Sequence, residues 1–200
     1  MRFAFACLSF AALAVAVAAG AFTGVDQWAV DHVMPGGHFT APQANLLDAL
    51  VPLAGTHWDS ALSVAAAVVA IPASFLVALA LTAWRNRSLA ALVLVGTAVE
   101  GLCKQVLSRP ELHHGALHVV AFDDSFPSGH ALRVALVAAA FASRLTAAWA
   151  VAAIVLIQLA GWHTPSDILG GLLLALVGLS ARSFLGARAL GGRRLLRGRA

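Results

Sequence analysis

The sequence predicts an all-α integral membrane protein, folded as a bundle of six transmembrane helices. Of its 200 residues, 60% are hydrophobic and only 11% are charged. In soluble domains, about a quarter of the residues are charged. The apolar residues form six runs separated by polar or basic segments. Most of the cations fall on one side of such a bundle, as the positive-inside rule requires. We therefore expect a single membrane domain covering residues 1–200.

The first apolar run covers residues 3–22, and it is either a cleaved signal peptide or a retained first span that acts as a signal anchor. Its length approaches the ~20 apolar residues that a span needs, which favours the retained span. Residues 24–60 mix polar and apolar positions, and they predict an outer loop with short helices at the membrane surface. Trp28 and Trp58 in this loop suit an interfacial aromatic belt.

Residues 61–187 hold the remaining predicted spans, and residues 188–200 form a basic tail. The spans are predicted at 61–84 (with Pro72 tolerated inside it), 89–103, 131–142, 145–161 and 168–185. The cations of the short turns and the tail define the cytoplasmic side of a multi-pass protein in the cell (inner) membrane. Attraction to anionic lipid explains the tail better than nucleic-acid binding does, so we expect no nucleic-acid partner.

The opposite, extracytoplasmic side collects the residues with reactive chemistry. Eight of the nine acidic residues and all eight histidines are predicted there. Lys104, Arg109 and Arg133 also lie there against the orientation rule, which indicates a chemical role. Glu100, the ninth acid, lies inside a span one turn before Lys104, on the same helix face. This pair either neutralises itself or positions Lys104 for a ligand.

Three short outer segments carry the candidate site: residues 104–110, 126–130 and 163–167. Each lies at the outer end of a predicted span, so we expect the three to meet at one level of the membrane. In the second segment, Ser128, Gly129 and His130 open a predicted helix. The first N–H groups of a helix have no internal partners and attract phosphate-like anions.

These segments resemble the motifs of the type 2 phosphatidic acid phosphatase (PAP2) family, six-span lipid phosphatases related to vanadium haloperoxidases. The second family motif, Pro-Ser-Gly-His, is matched in full at residues 127–130. In the third, Ser-Arg-x5-His-x3-Asp, His163 and Asp167 match, but the Ser-Arg positions hold Leu156 and Ile157.

The first family motif, Lys-x6-Arg-Pro, is matched in part. Lys104 is present, but Arg109-Pro follows it after four residues, and the family's arginine position falls on Glu111. Arg109 is therefore the candidate for the first missing arginine. Arg133 is the candidate for the second, because it lies three residues after His130 on the same helix face. Otherwise, Arg133 extends to the membrane interface as a simple anchor.

The resemblance implies a site and a mechanism. His163 would attack phosphorus to form a phosphohistidine, Asp167 would orient its imidazole, and His130 would protonate the leaving group. No metal ion or other cofactor would be required. The residues expected to bind the phosphate are Lys104, Arg109, Ser128, Gly129 and Arg133.

The implied function is a metal-independent phosphatase that hydrolyses a lipid phosphate or an isoprenyl diphosphate, such as undecaprenyl diphosphate, at the outer membrane face. Its partners would be membrane lipid and the phosphorylated lipid substrate. The missing arginines favour an alternative, a PAP2-like membrane protein that binds a phosphorylated lipid without turnover. A third reading is a small transporter that uses Glu100 and Arg133 inside the membrane.

Simpler roles remain open for several of these residues. Asp167 fits the third position of a helix start that is capped by Thr164 and continued by Pro165. His163, beside Trp162, suits an interfacial position. The histidines and aspartates of residues 113–124 match no standard metal-ligand spacing, which favours a solvated loop over a metal site.

Overall fold

The computed structural model describes residues 1–34 and 61–197, with side chains described up to residue 186. This part of the chain is mostly helical, as predicted. The α-helices are α1 (Arg2–Ala18), α2 (Thr23–His32), α3 (Ala61–Ala70), α4 (Phe75–Arg85), α5 (Arg87–Val106), α6 (Gly129–Phe141), α7 (Arg144–Leu159) and α8 (Pro165–Arg197). Two 3-10 turns, Ile71–Ala73 and Val120–Phe122, and a short antiparallel hairpin of β1 (His113–His114) and β2 (Leu117–His118) complete it. The predicted loop beyond residue 34 and the end of the basic tail lie outside the described residues.

Three stretches among the described residues are long and apolar enough to cross a membrane. They are Ala61–Arg85, which contains α3 and α4, Arg87–Val106, which is α5, and Pro165–Gly186 within α8. Helices α1 and α2 add a fourth if they form one span bent by 72°. Helices α6 and α7 are apolar but shorter, at 13 and 16 residues. The fold is therefore compatible with an all-α membrane protein, and the count of six spans stays a prediction.

Helix α6 lies at the centre of the helical packing, in contact with α4, α5, α7 and α8. One face of α6 packs against α5 and α8, and the other packs against the turn before α4 and against α7. Both faces are apolar, and most residues of the helix up to Val137 are buried. The buried side chains of these two contacts are Leu132, Leu136, Val93, Leu174 and Ala175 on the first face, and Val134, Ala73 and Ala153 on the second.

The start of α6 is held against the start of α8 by backbone contact. The Ser128 N–H donates to the Asp167 carbonyl oxygen at 2.9 Å. A side chain at Gly171 would overlap the Ser128 carbonyl oxygen, so only glycine allows this approach. The packing brings residues 126–130 and 163–167 together.

The helix through Pro72 is interrupted. Proline has no N–H to continue the helical ladder, and the chain passes through the 3-10 turn Ile71–Ala73 and an extended Ser74 before α4 begins. The interruption frees the Ala73 carbonyl oxygen, which accepts a hydrogen bond from Arg133 Nε at 2.7 Å. The predicted span at 61–84 thus stands as a candidate, but its helix is broken beside the central helix.

Candidate active site

Two imidazoles lie in contact where the second and third motif segments meet. His130 Nδ1 is 3.3 Å from His163 Nε2. His163 is buried in the short link between α7 and α8, with 3% of its surface exposed, while His130 is half-buried at the first turn of α6. Trp162 lies against the His130 ring, with 5.4 Å between ring centroids. The contact allows one imidazole to donate to the other.

The second nitrogen of His163 points towards Asp167. His163 Nδ1 lies 3.9 Å from Asp167 Oδ2, longer than a hydrogen bond, and Nδ1 has no hydrogen-bond partner although it is buried. A neutral imidazole has one N–H and one lone pair. A proton on Nδ1 faces the carboxylate and leaves the lone pair on Nε2, where it can accept a hydrogen bond from His130 Nδ1–H. A nucleophilic histidine requires this unprotonated Nε2.

Asp167 itself serves as both a helix cap and an ion-pair partner. Its Oδ2 accepts from the Thr164 N–H at 2.9 Å, and the Asp167 N–H returns a hydrogen bond to Thr164 Oγ1 at 3.4 Å. Helix α8 begins at Pro165, so the predicted helix start is confirmed. Asp167 Oδ1 accepts from Arg109 Nη1 at 3.1 Å. The capping role and an orienting role are therefore combined in one fully buried carboxylate.

Arg109 is enclosed by two carboxylates. Its Nη1 donates to Asp167 and to Thr164 Oγ1, both at 3.1 Å, and its Nη2 donates to Asp26 Oδ2 at 2.5 Å. The guanidinium side chain is 3% exposed. Asp26 also accepts from Ser166. We call Asp26, Arg109, Thr164, Ser166 and Asp167 the Arg109 network. Both terminal nitrogens of Arg109 donate to protein oxygens. The phosphate-binding role of Arg109 stays a prediction.

Asp26 is the residue of this network that the sequence analysis did not single out. Residues 24–60 were expected to form an outer loop with short helices at the membrane surface. The structure forms a short helix there, α2 (Thr23–His32), and Asp26 on this helix is completely buried. A signal for it was present, because Asp26, Ala29 and Val30 share one face of α2 by helical spacing. An acid on an apolar helix face points to a buried partner.

A second ionic group lies beside the start of α6. Glu100 Oε1 accepts from Lys104 Nζ at 2.8 Å, and Glu100 Oε2 accepts from Arg133 Nη1 at 3.2 Å. We call these three residues the Glu100 network. The predicted i,i+4 pair of Glu100 and Lys104 is confirmed, and Arg133 joins it. The Glu100 carboxylate lies against the Gly129 backbone. A side chain at position 129 would overlap it, so glycine is needed there.

The remaining motif residue, Ser128, is the N-cap of α6. Its hydroxyl accepts from the Ala131 N–H at 3.2 Å, and its side chain is buried. This satisfies one of the N–H groups at the helix start. The positive end of the α6 dipole is directed towards the region of the histidine pair.

The electrostatic environment keeps the nucleophile candidate neutral. Burial lowers the pKa of the His163 imidazole well below its usual range, and the nearby cationic side chains shift it in the same direction. The contrast is His118 in the hairpin, where the hydrogen bond with Asp123 at 2.9 Å raises the pKa. In the described residues, no group of three His, Cys, Asp or Glu side chains is placed to hold a metal ion.

Comparisons with protein-family models, curated proteins and solved structures find no match to this chain.

Proposed function

We propose that the chain hydrolyses the phosphate ester or diphosphate of a membrane lipid through a phosphohistidine on His163. One observation carries the proposal. His163 has one nitrogen 3.3 Å from a second imidazole and the other nitrogen facing a buried carboxylate. A nucleophile in contact with an acid–base group, and oriented by a third group, is the pattern of covalent catalysis.

In the proposed first step, the His163 Nε2 lone pair attacks phosphorus. A nitrogen–phosphorus bond forms while the bond to the leaving oxygen breaks, and His130 gives that oxygen a proton. The bound phosphate favours the protonated form of His130. Asp167 offsets the positive charge that develops on the His163 ring. Water then attacks phosphorus and gives a proton to His130, while the nitrogen–phosphorus bond breaks, so that inorganic phosphate is released and both histidines are regenerated.

The phosphate oxygens need positive partners that strengthen their hold as charge spreads in the transition state. Lys104 is the best placed, because its side chain is 24% exposed while Arg109 is 3% exposed. Arg133 and the first turn of α6 lie next to the same carboxylate, Glu100. Phosphate binding is thus assigned chiefly to Lys104, Arg133 and the segment 128–130.

The proposal includes a six-span bundle of the PAP2 type in the cell membrane, with the site on the extracytoplasmic side. It rests on the distribution of cations along the sequence. An isoprenyl diphosphate such as undecaprenyl diphosphate fits a site on that side, and phosphatidic acid and phosphatidylglycerol phosphate fit the same chemistry.

The test is phosphate release by the purified protein in detergent with a chelator present, using a panel of lipid phosphates. We expect His163→Ala to lower kcat by at least about a thousandfold and to abolish an acid-labile phosphoenzyme. His130→Ala should slow lipid substrates while sparing p-nitrophenyl phosphate, whose leaving group needs no proton. His118→Ala, in the hairpin, is the matched control and should behave as wild type. Release that is insensitive to His163→Ala would sink the mechanism.

A second candidate function is binding of a phosphorylated lipid without turnover. The observation that favours it is the pairing of Arg109 and Arg133 with carboxylates, which leaves fewer cations free to hold a transferring phosphoryl group. Wild-type protein that binds lipid phosphate but releases no phosphate from any member of the panel would favour this function.

A further inference from the structure

Helix α2 contributes a buried carboxylate to the site from far away in the sequence. Asp26 is fully buried, and its Oδ1 accepts from the Ser166 N–H at 3.0 Å. Its Oδ2 accepts from Ser166 Oγ and from Arg109 Nη2, both at 2.5 Å. Asp26 therefore binds the first turn of α8 and the guanidinium at the same time.

Both contacts act on Asp167, the next residue after Ser166. By holding the Ser166 N–H, Asp26 fixes the backbone from which the Asp167 side chain projects. By sharing the guanidinium, it limits how far Arg109 neutralises Asp167, since one cation is divided between two carboxylates. A less neutralised Asp167 is a better acceptor for a proton on His163 Nδ1.

We infer that Asp26 is a positioning residue, which acts through Arg109 and Asp167 to keep His163 in the Nδ1–H tautomer with its Nε2 lone pair free. This inference rests on the proposed function for its kinetic consequence only. The tautomer of His163 is a property of the resting protein and is measurable without turnover. Substrate and reacting atoms need not touch Asp26.

The variant that tests it is Asp26→Asn, which keeps the shape of the side chain and removes its charge. The guanidinium then pairs with Asp167 alone, and Asp167 loses strength as an acceptor for His163. We expect kcat to fall about 10- to 100-fold, the loss found when an outer partner of a metal-bound histidine is removed, with KM within about twofold of wild type. Asp31→Asn, an exposed acid on the same helix, is the matched control and should leave both constants unchanged.

The spectroscopic readout is 15N NMR of histidine-labelled protein in detergent, with the His163 signal assigned by its loss in His163→Gln. Wild type should show the Nδ1–H tautomer, and Asp26→Asn should shift the signal towards a mixture of tautomers. An unchanged signal would overturn the inference. If the wild type shows no phosphatase activity, the proposed function fails while this measurement still decides the role of Asp26.

A double-mutant comparison separates positioning from general damage. If Asp26 acts through Asp167, adding Asp26→Asn to Asp167→Asn should lower kcat by less than about twofold more. Multiplied losses would instead contradict the inference. Should Asp26→Asn fail to fold, Ser166→Ala removes one hydrogen bond to Asp26 and keeps both carboxylates. Asp26 Oδ2 then accepts from Arg109 alone and competes more strongly with Asp167 for the guanidinium. The His163 signal should therefore stay that of the Nδ1–H tautomer, and a shift towards a mixture of tautomers would overturn the inference.

Discussion

The Arg109 network places one guanidinium between two carboxylates, whereas the Glu100 network places one carboxylate between two cations. The first lies on the Asp167 side of His163, and the second lies against Gly129, the residue before His130. Because one network has more carboxylates and the other has more cations, the two suit ligands of opposite charge. The carboxylate-rich network suits an imidazole that must bear positive charge, and the cation-rich network suits a phosphate.

The two networks also differ in exposure. Arg109 and its carboxylates are almost fully buried, while the Lys104 side chain in the Glu100 network is 24% exposed. A buried ion pair is held rigidly, because breaking it leaves an uncompensated charge in a medium of low dielectric constant. The Arg109 network is therefore suited to keep Asp167 in a fixed position. The Glu100 network is suited to let its cations exchange the Glu100 carboxylate for an incoming anion. Under the proposed function, the first should control kcat and the second should control KM and stability.

The largest expected effect comes from the Arg109 network. Asp167→Asn keeps the size of the side chain but removes the charge facing His163 Nδ1, and we expect kcat to fall about 10³- to 10⁴-fold with little change in KM. Steady-state phosphate release measures both constants. Asp31→Asn, on the surface of α2, serves as the control. A rise in KM with an unchanged kcat would assign Asp167 to substrate binding, which would contradict the role given to the Arg109 network.

The next effect is on stability in the Glu100 network. Glu100→Gln leaves Arg133 and Lys104 without their carboxylate, and we expect the free energy of unfolding to fall by about 3 kcal/mol. Inorganic phosphate or vanadate should raise the thermal midpoint of this variant more than that of wild type, because the anion replaces the lost charge. Glu111→Gln, with an exposed side chain, is the control. Equal responses to the anion in both proteins would show that phosphate does not take the place of the Glu100 carboxylate.

The smallest of the three effects concerns the exposed cation. Lys104→Gln removes a phosphate partner, and we expect KM to rise about tenfold while kcat changes less. Lys104→Arg should recover most of the loss because it keeps the charge, and inhibition by inorganic phosphate should weaken in parallel in Lys104→Gln. A fall in kcat as large as that of Asp167→Asn would show that the two networks do not have separate effects on kcat and KM.

Much of the local structure follows from local sequence. The apolar runs predict helices, the spacing of Glu100 and Lys104 predicts their ion pair, and residues 164–167 predict a capped helix start. Each depends on contacts within four residues, where the geometry of a helix is fixed. The motif resemblance implied roles for His163 and His130 in one reaction, and the structure places the two imidazoles 3.3 Å apart.

Other features depend on contacts between distant segments. Arg109 and Arg133 were predicted as phosphate ligands in place of the two arginines that the resembling motifs lack. The structure supplies carboxylates as those partners, Asp26 for Arg109 and Glu100 for Arg133. Burial of an unpaired charge is so unfavourable that the chain satisfies it internally wherever packing allows. The sequence pattern alone does not say which acidic residue pairs with each arginine.

The sequence by itself determined the helical, membrane-compatible character of this chain and the residues able to react. It did so because hydropathy and helical periodicity are local properties of the chain. Tertiary structure alone decided which acid pairs with Arg109 and Arg133, and that Lys104 stays partly exposed while both arginines are buried. Asp26 and Arg109 are 83 residues apart, and Asp26 and Ser166 are 140 apart. The packing that brings them together depends on the burial of α2 and the close approach of α8 to the start of α6.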